Sequence, residues 1–219
     1  AYSVPREPHS PGARSNKPAR HVRSWTRREV VRDPIFWVLL TGVLAPGFIG
    51  TTIFYHQDYM ATLNSWPPQL FATSLVVLAL TTVVVALIAG WLVDRFDAIS
   101  ILPFFLLPLS ASCLALSLNG PPFMLFVVMV LLGISYGVSS TLFGALWPGI
   151  YGTVYLGSIR AVTVSVGVIA TAAGPGLTGT LIDRGITLPQ QMLYLGIYCL
   201  IAAVAMSVAS FFLRRRGVG

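Results

Sequence analysis

The sequence predicts an all-α polytopic membrane protein, and three observations carry that prediction. Of the 219 residues 55% are hydrophobic, only 10% are charged, and the apolar residues gather into six long runs. An ordinary soluble domain carries about 25% charged residues. This chain therefore cannot dress a water-facing surface, and a soluble single-domain enzyme is excluded.

A hydrocarbon core about 30 Å thick needs roughly 20 apolar residues of helix. Six segments meet that length: 35–55, 69–93, 100–118, 123–146, 161–182 and 191–213. Between them lie clusters of proline, glycine and charge, among them Trp66-Pro67-Pro68, Asp94-Arg95-Phe96-Asp97 and Asn119-Gly120-Pro121-Pro122, the expected punctuation. Three regions follow: a basic tail or linker over 1–33, expected to be disordered with a short surface helix near its end; a six-helix bundle over 34–213; and a basic tail over 214–219. Thr26-Arg27-Arg28-Glu29 fits a capping box, and Asp33-Pro34 fits an N-cap with proline at the first helical position.

The cations set the orientation. Eight of the 14 Lys and Arg precede Asp33, three are Arg214, Arg215 and Arg216, and only Arg95, Arg160 and Arg184 lie between. Six spans place both termini, the second–third connection and the fourth–fifth connection on one side, which collects 13 of the 14 cations. The positive-inside rule makes that side cytoplasmic, and the expected location is a plasma membrane crossed several times. The basic linker also has the composition that binds anionic lipid, although orientation alone explains it.

In the first span Gly42, Pro46 and Gly50 recur every four residues, and Pro46 removes a helix hydrogen bond and allows a bend. Its outer end carries Thr51, Thr52, Tyr55, His56 and Gln57. These either line an outward vestibule, where His56 can titrate, or form an interfacial cap of polar and aromatic residues. The fourth span carries Gly133, Gly137, Ser140 and Gly144 along one stripe with Tyr136 and Ser139 beside it; the fifth carries Gly167, Thr171, Gly174 and Thr178. Small residues at that period serve close helix packing. Cys113 and Cys199 each sit inside an apolar run and read as small buried side chains, not as a disulfide or metal site.

An internal repeat emerges. Gly90-Trp91-Leu92-Val93-Asp94-Arg95 closes the second span as Gly179-Thr180-Leu181-Ile182-Asp183-Arg184 closes the fifth, 89 positions later. The same offset carries the first three span starts close to the last three. Two units of three helices each are necessarily inverted in the membrane, an arrangement typical of secondary transporters with sites near the midplane between units.

The motif Gly90 to Arg95, followed by Phe96, is similar to the cytoplasmic loop motif of the major facilitator superfamily, though Asp97-Ala98-Ile99 stands where the family continues with glycine and basic residues. Gly174-Pro175-Gly176-Leu177-Thr178-Gly179 resembles that family's eleventh helix, and Gly157-Ser158-Ile159-Arg160 the loop before it. From about Trp25 to Arg216 the chain resembles the family's C-terminal half, helices seven to twelve. The resemblance implies a secondary active transporter of a small solute working by alternating access, present as a six-helix half that pairs with a missing N-terminal half or a second copy. It implies that the first, second, fourth and fifth spans line the path while the third and sixth face lipid. Thr52, Tyr55, His56, Gln57, Tyr136, Ser139 and Thr171 are then candidates for the substrate path. Gly90, Asp94, Arg95 and Arg160 become the conformational motif, with Asp94 and Arg160 expected to form a state-dependent ion pair or helix-end contact, and Pro46, Gly133, Gly137, Gly174 and Pro175 serve as kink or packing positions.

No Asp, Glu, Lys, Arg or His lies deep within a span, so this chain offers no midplane proton relay or charge clamp. Gly133-Ile134-Ser135-Tyr136-Gly137 has the spelling of a nucleophile elbow, but His9, His21 and His56 all stand in the wrong place to activate Ser135 as an intramembrane protease. A channel built on Asn-Pro-Ala half-helices lacks its motif, since Asn16, Asn64 and Asn119 precede Lys, Ser and Gly. There is no phosphate loop either. A non-transporting assembly subunit stays as the alternative; no cofactor, metal or nucleic-acid partner is expected.

Overall fold

The computed structural model describes residues 23–67 and 69–216, and within them the regular structure is helical throughout. The expected tail thus lies, up to residue 22, outside the described residues. Helix α1 (Arg27–Arg32) is opened by the capping box: the Thr26 side chain accepts from the Glu29 N–H, and Glu29 accepts from the Thr26 N–H at 2.8 Å. That Thr26 N–H holds the Glu29 carboxyl below its ordinary value. Asp33 ends α1 and caps α2 (Pro34–Tyr55), accepting from the Ile35 N–H at 3.2 Å. Then follow α3 (Gln57–Leu63), α4 (Gln69–Phe96), α5 (Ala98–Ile101), α6 (Leu107–Ser117), α7 (Met124–Tyr151), α8 (Leu156–Asp183) and α9 (Leu188–Arg215).

Five of these, α2, α4, α7, α8 and α9, are long and apolar enough to cross a membrane. The expectation of six unbroken spans is corrected at the third. Segment 100–118 is split into α5, turns over 102–106, and an α6 of 11 residues, about 17 Å at 1.5 Å per residue. Two prolines cause the break. Pro103 offers no N–H to continue α5, while Pro108 sits in the first turn of α6, where its missing N–H costs nothing. Leu102, Phe105 and Leu106 of the turn are nevertheless fully buried.

A second correction concerns the connection after the fourth span. Helix α7 continues through Pro148 to Tyr151 and α8 begins at Leu156, so Arg160 stands inside a helix and not in a loop. Gly152 makes the short turn possible in two ways. Its φ of +78° is a conformation L side chains avoid, and a Cβ there would lie 2.8 Å from the Ser24 hydroxyl and 2.9 Å from its Cα.

The helices pack in a pattern set by small residues. Helix α4 lies along α7, where a Cβ at Gly133 or Gly137 would meet the Leu78 and Thr82 carbonyls at 3.0 and 2.8 Å. Helix α2 lies along α8, where a Cβ at Gly174 would meet the Phe48 carbonyl at 2.9 Å. Segment α6 is held between α7 and α9: Ser112 donates to Val128 O at 3.0 Å and Ser110 to Gly196 O at 2.8 Å. The outer faces of α4 and α8 are apolar and exposed, with Leu87 74% and Ile169 68% accessible, surfaces that suit hydrocarbon or another chain and not water. Cys113 and Cys199 are buried and free.

Candidate functional site

Three prolines interrupt the spanning helices, and each leaves the carbonyl four residues before it without a ladder donor. Pro175 of α8 frees the carbonyl of Thr171. Across the interface the Thr51 hydroxyl of α2 lies 3.1 Å from that oxygen, and 2.8 Å from the Gly47 carbonyl of its own helix. A hydroxyl has one proton. Thr51 can therefore fasten α2 to α8 or turn back onto α2 without losing its own hydrogen bond.

Pro148 of α7 frees the carbonyl of Gly144 in the same way. The Arg160 guanidinium reaches across from α8 and donates to it from Nη2 at 3.1 Å. Beside this contact a cavity of about 390 Å³ opens between α2, α7 and α8, with Val43, Ser140, Phe143, Trp147 and Arg160 on its wall. Arg160 does not pair with Asp94 in this conformation. The ion pairs among the described residues are Arg23–Glu29 and Arg216–Asp33. In this conformation Arg160 contacts a backbone oxygen instead, because α8 starts early enough to carry it alongside the proline of α7. Asp94 is exposed in the last turn of α4, and Arg95 lies over the rings of Trp91 and Phe96 at 5.5 and 5.8 Å. Gly90 is half-buried, and a Cβ there would be in ordinary contact with Thr141.

Pro46 of α2 is met from α7. The Tyr136 hydroxyl points at the Pro46 carbonyl at 3.4 Å and sits where a Cβ of Gly50 would be, at 1.5 Å. Gly50 is a notch that admits the tyrosine ring to the bend. Further along α2, Thr52 is fully buried, its hydroxyl has no partner among the described residues, and it faces Gly174. His56 is 9% exposed and donates from Nδ1 to the Thr52 carbonyl at 3.0 Å, since a carbonyl can only accept. That leaves Nε2 directed towards Gly179 of α8.

The candidates of the first and fifth spans thus meet at one interface: Thr52 on α2 against Gly174 and His56, at the C-cap of α2, against Gly179 of α8, with Thr171 supplying a carbonyl. The Thr171 hydroxyl itself donates to Val168 at 2.9 Å. Tyr136 joins them at the bend of α2. Among the described residues Ser139, buried on α7, has no hydrogen-bond partner, nor does Ser135 one turn before it, so neither is bonded to the α2–α8 contact. Gln57 is half-buried at the start of α3, and Tyr55 stands 74% exposed with its ring edge against His56 at 5.2 Å.

Two features escaped the sequence reading. One is the role of Thr51 and Gly144, which follows from asking of each proline which carbonyl it frees. The other is a joint at the tail-bearing end: Asp33, 2% exposed at its side chain, accepts from Tyr151 Oη at 3.1 Å and from Arg216 Nη1 at 3.1 Å. Its N-cap role was legible; partners 118 and 183 residues away were not.

Comparison with known families decides the class. The sequence pattern described as Major Facilitator Superfamily matches residues 1–175. The chain belongs to the major facilitator superfamily. No curated protein matches the sequence. Membership in this superfamily, together with five spanning helices, makes the chain an integral, multi-pass membrane protein of the transporter type. The proline-centred contacts of α2, α7 and α8 are therefore features of a superfamily transporter.

Proposed function

We propose that the chain is a six-segment half of a secondary active transporter that moves a small solute by alternating access, with both termini in the cytoplasm of a plasma membrane. The observation that carries the reading is the Thr51 hydroxyl, placed between the Gly47 carbonyl of its own helix and the Thr171 carbonyl that Pro175 frees. A contact that can be exchanged without stranding the hydroxyl lets α8 part from α2 at the cost of a donor to the Thr171 carbonyl alone, about one hydrogen bond.

The inverted repeat is supported by the packing. Exchanging the first three spans with the last three turns the α4–α7 contact into α8–α2 and the α6–α7 contact into α9–α2; all four are present. In this reading the broken α5–α6 segment serves as the third span. Thr52, Tyr55, His56, Gln57, Tyr136, Ser139 and Thr171 line or gate the path, and Gly90, Asp94, Arg95 and Arg160 set the state at the cytoplasmic end. Arg160 acts there through the Gly144 carbonyl. The exposed apolar faces of α4 and α8 are where the other half, or a second copy, closes the path.

Uptake of a panel of labelled solutes into proteoliposomes tests this, with the chain alone and with the chain extended by its native upstream sequence. Saturable uptake of one solute above empty vesicles, altered by Thr51→Val, is the expected result. Absence of any flux from both forms would sink the transport reading and leave the assembly-subunit alternative.

A further inference from the structure

The described ends of the chain meet at one end of the bundle, and the way they are joined points to a partner. Asp33, at the end of α1, is bonded to Arg216, which caps α9, across 183 positions of sequence. A buried carboxylate is costly unless its oxygens are occupied, and here the Ile35 N–H, the Tyr151 hydroxyl and the Arg216 guanidinium occupy them. The segment before α1 is fastened too, with the Trp25 N–H donating to Tyr151 O at 2.9 Å and its ring edge-on to Tyr151 at 5.6 Å. Two basic runs, 23–32 and 214–216, thereby form one face.

That face carries more positive charge than its acids cancel. It contains Arg23, Arg27, Arg28, Arg32, Arg214, Arg215 and Arg216 against Glu29 and Asp33. Arg23 pairs with Glu29 at 2.6 Å and Arg216 with Asp33. The other five arginines have no acidic partner among the described residues, and all five are exposed. Val30 is the buried residue of α1, which turns Arg27, Arg28 and Arg32 outward. The border of the face is apolar: Trp37 is 47% exposed with its indole N–H on Val31 O at 2.8 Å, and the Arg215 guanidinium lies 4.4 Å from the centre of the exposed Phe211 ring. Aromatic rings with arginines folded over them mark the level where hydrocarbon gives way to headgroups.

We infer that this joined face is a binding site for the phosphate headgroups of anionic phospholipid, presented as one preorganised surface by the Asp33–Arg216 joint. Orientation by charge bias requires cations on this side of the membrane, but it does not require a buried carboxylate to hold the two runs together. Preorganisation removes the ordering cost that two separate flexible runs would bear at binding. The inference rests on membrane insertion and not on transport, so a chain that moves no solute leaves it standing.

The test measures binding of fluorescent phosphatidylglycerol to the purified full chain in neutral maltoside micelles, with phosphatidylcholine as the neutral comparison. Wild type is expected to bind the anionic lipid in preference, with affinity falling as salt rises. Each arginine near such a surface is worth about a fivefold change, so Arg27→Gln/Arg28→Gln/Arg32→Gln weakens binding by about 100-fold. Arg184→Gln, beyond the far end of α8, leaves it unchanged. Arg216→Gln costs more than Arg215→Gln, because it removes the joint as well as a charge. Thermal melting of each variant establishes that it is folded; should the triple variant fail to fold, the Arg215 and Arg216 pair carries the test. Equal binding by the folded triple variant and wild type overturns the inference, as does an Arg216→Gln effect no larger than that of Arg215→Gln. Competition by glycerol phosphate in water as strong as by the lipid makes this a free-anion site and overturns the lipid assignment.

Discussion

Two helix interfaces related by the repeat, α4–α7 and α2–α8, are built from the same kinds of residue and differ in what the residues touch. In α4–α7 two glycines one turn apart press against backbone: Gly137 against Thr82 O and Ala86 N, Gly133 against Leu78 O. Helix α4 has no proline, that of α7 lies C-terminal to Gly133, Gly137 and Thr141, and Thr141 donates to Ala86 O of α4 at 3.2 Å. In α2–α8 each helix carries a proline, one glycine, Gly174, approaches backbone while Gly47 approaches only the Thr171 side chain, and a shared hydroxyl makes the hydrogen bond. Cavities of about 310 and 380 Å³ open along α8 where it meets α2 and α9. Close packing of backbone on backbone permits one arrangement; the proline-broken contact permits two. The first is suited to a rigid arm and the second to a moving joint.

The largest effect should come from filling the tight interface. In Gly137→Ala the new methyl meets backbone atoms at 2.8 and 2.9 Å that cannot rotate away, so the helices must separate along their length. Overpacking of that kind costs about 1–3 kcal/mol, and the helix propensity gained by alanine recovers at most about 1. A fall in thermal midpoint in detergent is expected. Gly174→Ala should cost less, about 1 kcal/mol, because one of its close neighbours is the rotatable Thr52 hydroxyl and voids flank α8. Its main effect should fall on solute uptake. If both substitutions lower the midpoint equally, the two interfaces do not differ in rigidity and the distinction between arm and joint is lost.

How much of this was legible beforehand follows the range of the forces involved. Span positions follow from apolar run length, which is local, and five of the six emerged as long helices. The third did not, because its composition satisfies the length rule while Pro103 and Pro108 break the ladder; a hydropathy count is blind to hydrogen bonds. Gly133, Gly137 and Gly174 stood out by their spacing. Which carbonyl each would approach depends on the neighbouring helix, and so did the fate of Arg160. Pairing it with Asp94 assumed a loop over 147–160, ten residues longer than the turn over 152–155 that Gly152 allows. Asp33 shows the same limit: its capping of α2 is a matter of two residues, whereas its bond to Arg216 exists only once α9 has returned to the same end.

A middle-sized effect probes the notch. In Gly50→Ala a methyl would fall 1.5 Å from the Tyr136 hydroxyl, so the ring must leave the bend of α2. The expected loss is about 1–2 kcal/mol. Tyr136→Phe in the same chain should recover part of it by removing the oxygen that clashes, even though the ring carbon behind it, at 2.8 Å, still crowds the methyl. A double-mutant cycle on thermal unfolding measures the coupling. Additive losses would mean that Tyr136 and Gly50 do not meet, and that the bend of α2 is set by Pro46 alone.

The smallest effect on stability should accompany the largest change in the balance between conformations. Thr51→Val keeps the shape of the side chain and removes its proton, leaving the Thr171 carbonyl without a donor. A single hydrogen bond of this kind contributes about 1 kcal/mol, and in the conformation where Thr51 turns back to Gly47 the substitution removes only a redundant bond. The penalty therefore falls unequally on the two states and shifts their ratio by about fivefold towards the one in which α8 stands away from α2. Thr51→Ser keeps the proton and should behave as wild type. Cysteine accessibility at Thr178, buried at the α8 face, reads that ratio directly: faster labelling of Thr178→Cys in the valine variant than in the serine variant is expected. Identical labelling rates would show that the shared proton does not govern the joint, and the contrast between the two interfaces would then rest on packing alone.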